Sequence, residues 1–171
     1  MIHCPYCHGY EFRKLRTAIL ANGERAFHLA SLIKNLTDEI AIITNDISTF
    51  QSVQLEKLKQ HNIVVINKNI SALNHNNGQL NTIVFEDGSE ANFNVLYAAI
   101  PFKQQTELPE KLGCTLTDLG HISVDDFQNT SVYGIYACGD NASMMRSLAN
   151  AVASGNLAGS MCNKALIDED F

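Results

Sequence analysis

Short apolar runs of four to seven residues, each followed by a segment of helical repeat, constrain this chain more than any other feature. Residues 16–22 (RTAILAN) end in Asn22-Gly23, and the next segment sets Ala26, Phe27, Leu29, Ala30, Leu32, Ile33 and Leu36 at helical spacing. That reads as strand, tight turn and helix. Residues 40–44 (IAIIT) form a second apolar run, residues 50–61 a polar helix carrying Val53, Leu55 and Leu58, and residues 63–66 (IVVI) a third run. Strands alternating with helices predict an α/β fold: a parallel sheet joined by right-handed crossovers.

From Ile70 the pattern changes. Asn76-Asn77-Gly78 and Asp87-Gly88 are hairpin-type turns, and residues 80–86 between them alternate, so an antiparallel meander is expected. Residues 94–100 (NVLYAAI) are a further apolar strand closed by Pro101. The polar, turn-rich residues 102–120 are the best candidate for a linker or domain boundary, dividing the chain into domains 1–101 and 102–171. In the second, short strands are expected at 121–124 and 132–137 (VYGIYA), followed by a helix over 144–167 with Leu148, Ala151, Val152, Ala158 and Met161 on one face.

The composition narrows the function classes. No stretch of the 171 residues approaches the ~20 uninterrupted apolar residues of a membrane helix, so no membrane partner is expected. A net charge of -6 offers no electrostatic footprint for nucleic acid. Residues 1–5 show no basic and apolar run of the signal-peptide kind, which predicts a cytoplasmic, reducing location for the five cysteines. The odd count argues against a disulfide framework.

Cys4-Pro5-Tyr6-Cys7-His8 is the sharpest local signal. Two thiols at this spacing suit a small redox-active disulfide ring, with His8 placed to act as acid or base toward the sulfurs. Zinc requires four ligands, whereas Cys114, Cys138 and Cys162 are single and far apart. The same string also marks haem attachment, in exported proteins. The redox dithiol is the preferred reading, an ordinary buried pair the plain alternative, and no metal site is expected. His28, His61, His75 and His121 are scattered and read as surface or core residues.

Ala21-Asn22-Gly23-Glu24-Arg25-Ala26 follows a strand and opens a helix, an A-x-G-x-x-A variant of the dinucleotide fingerprint. In it Gly23 permits close backbone approach and Ala26 close packing, while Ala21 replaces the first glycine; a purely structural strand-to-helix turn is the competing reading. Asp46 stands past the second strand, where an acid could bond an unphosphorylated ribose or be a solvated surface residue of a polar turn. Residues 130–140 end an apolar strand in Gly139-Asp140 before a helix, with Arg146 and Ser147 at its start. This arrangement offers an acid to a ribose or ribityl hydroxyl and backbone amides to a phosphate, with an ordinary turn and a surface Arg146 as the competing reading.

Together the three motifs resemble the thioredoxin-reductase-like flavoproteins among the pyridine nucleotide-disulfide oxidoreductases. The resemblance spans nearly the whole chain, with the motifs in the family's order. It implies a Rossmann-like three-layer nucleotide-binding domain with the antiparallel meander, opened by Cys4 to Tyr10, plus the C-terminal strand-helix segment of a split FAD-binding domain. It also implies FAD and NAD(P)H as cofactors, a homodimer, and a small-molecule or protein disulfide or dithiol as substrate. Electrons would pass between nicotinamide, FAD and the Cys4/Cys7 pair, with Cys7 facing the flavin and Cys4 exchanging with substrate.

Two departures accompany the resemblance. His8 stands where the reductases commonly carry Asp, which is closer to the dithiol oxidases that close disulfides in gliotoxin-like metabolites. Thr44-Asn45-Asp46 replaces the arginine cluster of NADPH users, which ranks NADH, or no nicotinamide as in an oxidase using oxygen, above NADPH. The family's first FAD-domain half, expected before Cys4, is not in the sequence, so the chain reads as a fragment, inactive alone, retaining no FAD and with an unusual association or a rearranged C-terminus. A non-catalytic nucleotide- or partner-binding module is the second hypothesis.

Overall fold

Alternate residues of each apolar run point to opposite faces of a sheet, and here both faces are buried. The computed structural model describes residues 1–99 and 101–171, and the chain divides into two compact units, Met1–Ile100 and Pro101–Phe171. In the first, β1 (Thr17–Leu20), β2 (Ile40–Ile43), β3 (Val64–Ile66) and β7 (Val95–Ala98) form a parallel sheet in the order β3-β2-β1-β7. Ile2 adds a parallel bridge to Tyr97, donating to the Leu96 carbonyl and accepting from the Ala98 N–H at 2.8 Å each.

One face, through Ile19, Ile40, Ile42, Val95 and Tyr97, packs on α2 (Gly23–Ile33) and α3 (Ser52–Gln60) by way of Ala26, Leu29, Ala30, Ile33 and Leu58. The other, through Ala18, Ala41, Ile43 and Leu96, packs on the meander β4 (Ile70–Asn76), β5 (Gln79–Phe85) and β6 (Glu90–Asn92) by way of Leu80, Ile83 and Phe85. The unit is thus three layers: helices, parallel sheet, antiparallel sheet. Asn77 and Gly78, with φ of 48° and 83°, make the β4–β5 turn, as an Asn-Gly pair at a two-residue hairpin should. The last residue of the run expected to end at Ile100 lies outside the described residues. A short helix, α1 (Pro5–His8), precedes the sheet.

The second unit departs from expectation. Residues 102–120 are not a bare linker: they contain α4 (Leu108–Lys111), the buried Cys114, and Leu116, which bridges Ile122. The strands expected at 121–124 and 132–137 are replaced by isolated bridges, Leu116 to Ile122, Val124 to Thr130 and Asn129 to Tyr136. Gly134 at φ 76° turns the chain, with Ile135 N–H donating to the Val132 carbonyl, so the VYGIYA run cannot stay extended. The final helix, α5 (Leu148–Asp170), starts four residues later than residue 144, because Ser147 caps it with Oγ accepting from Asn150 N–H at 3.2 Å. Among the described residues no helix is long and apolar enough to cross a membrane.

Candidate functional site

Cys4 has extended backbone and caps α1, whose second turn never forms: Pro5 supplies the first helical position and Gly9 the end, its N–H donating to the Pro5 carbonyl at 2.7 Å. This single turn sets Cys4 at its cap and Cys7 within it, close enough for the Cys4 thiol to act on Cys7. Cys4 is half-buried, Cys7 and His8 exposed. The Cys4 hydrogen bond, followed by desolvation and the Cys4 charge, raises Cys7 above its usual range. The electrostatic partner that moves Cys7 is therefore the other thiol. Cys4 lies close enough to the sheet edge to act on Tyr97, whose phenol is held protonated above its usual range by burial first, then by Cys4 and Glu11.

Gly9 was absent from the residues that sequence reasoning singled out, yet the turn depends on it. A Cβ there would stand 2.3 Å from the Pro5 carbonyl oxygen and 2.6 Å from Leu36 Cδ1, so only glycine lets α1 lie against the end of α2.

The fingerprint residues gather at the carboxyl end of β1, where an open α/β sheet places its ligand crevice. Ala21, Gly23 and Ala26 are buried, Asn22 half-buried and Glu24 exposed at the first turn of α2. Asn22 Oδ1 accepts from Gly23 N–H, Thr49 N–H and Thr49 Oγ1 at 2.8, 3.0 and 3.2 Å, and Asn22 Nδ2 donates to the Ile47 carbonyl at 2.8 Å. Glu24 accepts from Gln54 Nε2 on α3. Asp46 is exposed, and its Oδ1 accepts from Ile47 N–H at 2.6 Å. Beside it a cavity of about 330 Å³ is lined by Asp46, Ile47, Asn67 and Asn69. Ser48 Oγ in the same loop is buried without a partner among the described residues.

In the second unit Gly139, at φ 73°, opens the 3-10 turn Gly139–Asn141 and donates its N–H to Ser154 Oγ on α5 at 3.0 Å. Asp140 is exposed, and among the described residues its carboxylate carries no hydrogen bond. The Arg146 guanidinium lies over the Phe102 ring at 4.9 Å, and Phe102 stacks on the buried His121 at 4.4 Å. Ser147 is engaged as the α5 cap. The free Asp140 carboxylate beside a glycine that brings the backbone close suits a polyhydroxylated phosphate ester such as FAD. The first unit thus carries a strand-to-helix turn of the kind that dinucleotide-binding α/β proteins use, together with the Cys4–Cys7 turn, and the second a glycine turn before its closing helix.

The fold of the first unit, a parallel sheet between helices and an antiparallel sheet, defines an α/β protein of the Rossmann-like nucleotide-binding class. The sequence matches the pyridine nucleotide-disulphide oxidoreductase family over residues 11–155, and the chain belongs to that family. It is similar to thioredoxin reductase tcpT of Claviceps purpurea, 32% identical across 98% of this chain and 54% of the relative, and to thioredoxin reductase sirT of Leptosphaeria maculans, 26% identical across 100% and 57%. A solved structure, the TrxB thioredoxin reductase of Bacillus anthracis described there as putative, superposes with a TM-score of 0.86 at 29% identity, over 99% of this chain and 57% of that one. The chain therefore spans little more than half the length of these relatives. The family implies FAD and NAD(P)H in the complete protein.

Proposed function

We propose that Cys4 and Cys7 are the electron-carrying dithiol of an FAD-dependent disulfide oxidoreductase, the first unit being its dithiol-bearing nucleotide-binding domain and the second its C-terminal FAD-binding segment. The observation that carries this reading is the placing of both thiols on one proline-started, glycine-ended turn, where Cys4 acts on Cys7.

In the oxidising direction a substrate thiolate attacks Cys4 Sγ, the Cys4–Cys7 bond opens, and Cys7 leaves as thiolate. The second substrate thiolate then displaces Cys4 from the mixed disulfide. Two electrons pass to the pair, the substrate gains one S–S bond, and the two substrate protons end on Cys4 and Cys7. His8, at the end of α1, relays a proton as the leaving thiolate is neutralised. The raised Cys7 favours its protonated, reduced form. Reduction of a substrate disulfide is the same sequence reversed. When bound, FAD supplies two-electron exchange with the pair; Gly139, Asp140 and Arg146 are the residues of this chain that would hold it.

A small-molecule dithiol of the gliotoxin type is the second reading, supported by His8 in the Cys-x-x-Cys-His-Gly string. Titration of thiols before and after mild oxidation tests the shared core: Cys4 and Cys7 should disappear and return together, and Cys7→Ser should abolish the paired change. A bound metal at these sulfurs, or independent reaction of the two, would overturn it. Parallel oxidation of a cyclic small dithiol and of a reduced protein dithiol separates the substrate classes.

A further inference from the structure

A dinucleotide seats its pyrophosphate on the bare N–H groups at a helix start, through an approach kept clear of side chains. In this chain the approach to α2 is filled. Three hydrogen bonds to the one Asn22 carboxamide hold residues 47–49 of the β2–α3 loop against the start of the helix. Gly23 N–H, an amide that pyrophosphate would need, is among the groups already bonded. Thr49 Oγ1 stands 2.6 Å from the position a Gly23 Cβ would take, so the space that glycine clears for a ligand is occupied by threonine. Gln54 on α3 ties to Glu24 on α2 and braces the same closure.

The rest of the crevice does not compensate. Ala21 puts a buried methyl where the fingerprint has its first glycine. The cavity beside Asp46 is lined by Asp46, Ile47, Asn67 and Asn69, with no lysine or arginine to meet a 2'-phosphate. The only carboxylate of that lining is already bonded to Ile47 N–H.

We infer that Asn22 and Thr49 form a latch that closes the fold's nicotinamide cradle, so that the first unit of this chain takes neither NADH nor NADPH. The residues present do not fit the group that the family implies; in the oxidising direction the two electrons that reach Cys4 and Cys7 come from the substrate dithiol. The inference is independent of the dithiol chemistry, because paired thiol titration reads the one and nucleotide binding the other.

Calorimetric titration of the chain with NADH and with NADPH should give no saturable heat up to about 1 mM. Backbone hydrogen exchange should show slow Gly23 and Thr49 amides that neither nucleotide perturbs. The double variant Asn22→Gly, Thr49→Gly removes the latch and should bind NADH at least about tenfold more tightly than the wild type. Its circular dichroism confirms that it is folded, and if it is not, the exchange measurement on the wild type decides. Saturable binding of either nucleotide by the wild type, rapid exchange at Thr49, or no gain in a folded double variant overturns the latch.

Discussion

At the scale of single residues, the dithiol is set by what each sulfur touches. Cys7 is exposed and would titrate as a free thiol were it alone; the Cys4 hydrogen bond and charge raise it. A raised thiol pKa means less thiolate at any pH below it, so alkylation of Cys7 is slowed by the largest factor below pH ~8.5, the range in which a free thiol is mostly protonated. Cys4→Ala removes both effects. The pH profile of Cys7 alkylation by iodoacetamide should then move to lower pH, with the rate near neutrality rising several-fold. An unmoved or upward-moved profile would show that Cys4 is not the cause. Tyr97 and Tyr6 divide similarly by contact: Tyr97 is buried within β7, whereas Tyr6 lies 83% exposed beside Cys7.

At the scale of elements, α1 is a single turn and cannot hold itself together; isolated helices of this length are unstable in water. Its position comes from Gly9 against Pro5 and Leu36, and from the Ile2 bridge that anchors its approach. Gly9 has an ordinary helical φ of -62°, so Gly9→Ala is penalised by collision alone. The expected cost is about 1–3 kcal/mol in a urea melt, with slower closure of the Cys4–Cys7 disulfide. Adding Leu36→Ala should relieve the side-chain part but not the clash with the Pro5 carbonyl. Full recovery in the double variant would mean that the backbone contact is unimportant. The same contrast explains what could be read in advance. Residues 17–20 and 40–43 were legible as strands because burial on both faces leaves an unbroken apolar run, and 64–66 because three β-branched residues follow one another at the sheet edge. The Cys4–Cys7 spacing was legible because its chemistry is local. Gly9 meets Leu36, and Asn22 meets Thr49 at 27 residues' separation, and no periodicity encodes a contact of that range. The VYGIYA run misled because one positive-φ glycine outweighs five residues of strand propensity.

At the scale of the whole molecule, the two units differ in how much core each can build. The first covers both faces of its sheet, with Ile19, Ile33, Ile42, Ile43, Ile83, Leu96 and Tyr97 almost wholly buried. The second has a small cluster of Cys114, Ile122 and Ala137, and its 23-residue α5 buries only Ala158. Leu148, Val152, Leu166 and Ile167 on that helix remain more than half exposed. At roughly 25 cal/mol per Å² of buried apolar surface, such a helix gains little against the ~1–2 kcal/mol of backbone entropy lost per ordered residue. The second unit should therefore open at a lower free energy than the first. Thermal unfolding followed by circular dichroism should show two steps, the earlier one losing helix. A chain ending at residue 100 should keep the later step at an unchanged temperature, because neither of the two hydrophobic clusters that hold its layers draws on a residue beyond that point. A single transition shared by the whole chain, or an unfolded 1–100 fragment, would show that the first unit depends on the second for its stability, and that the small cluster around Cys114 contributes more than its size implies.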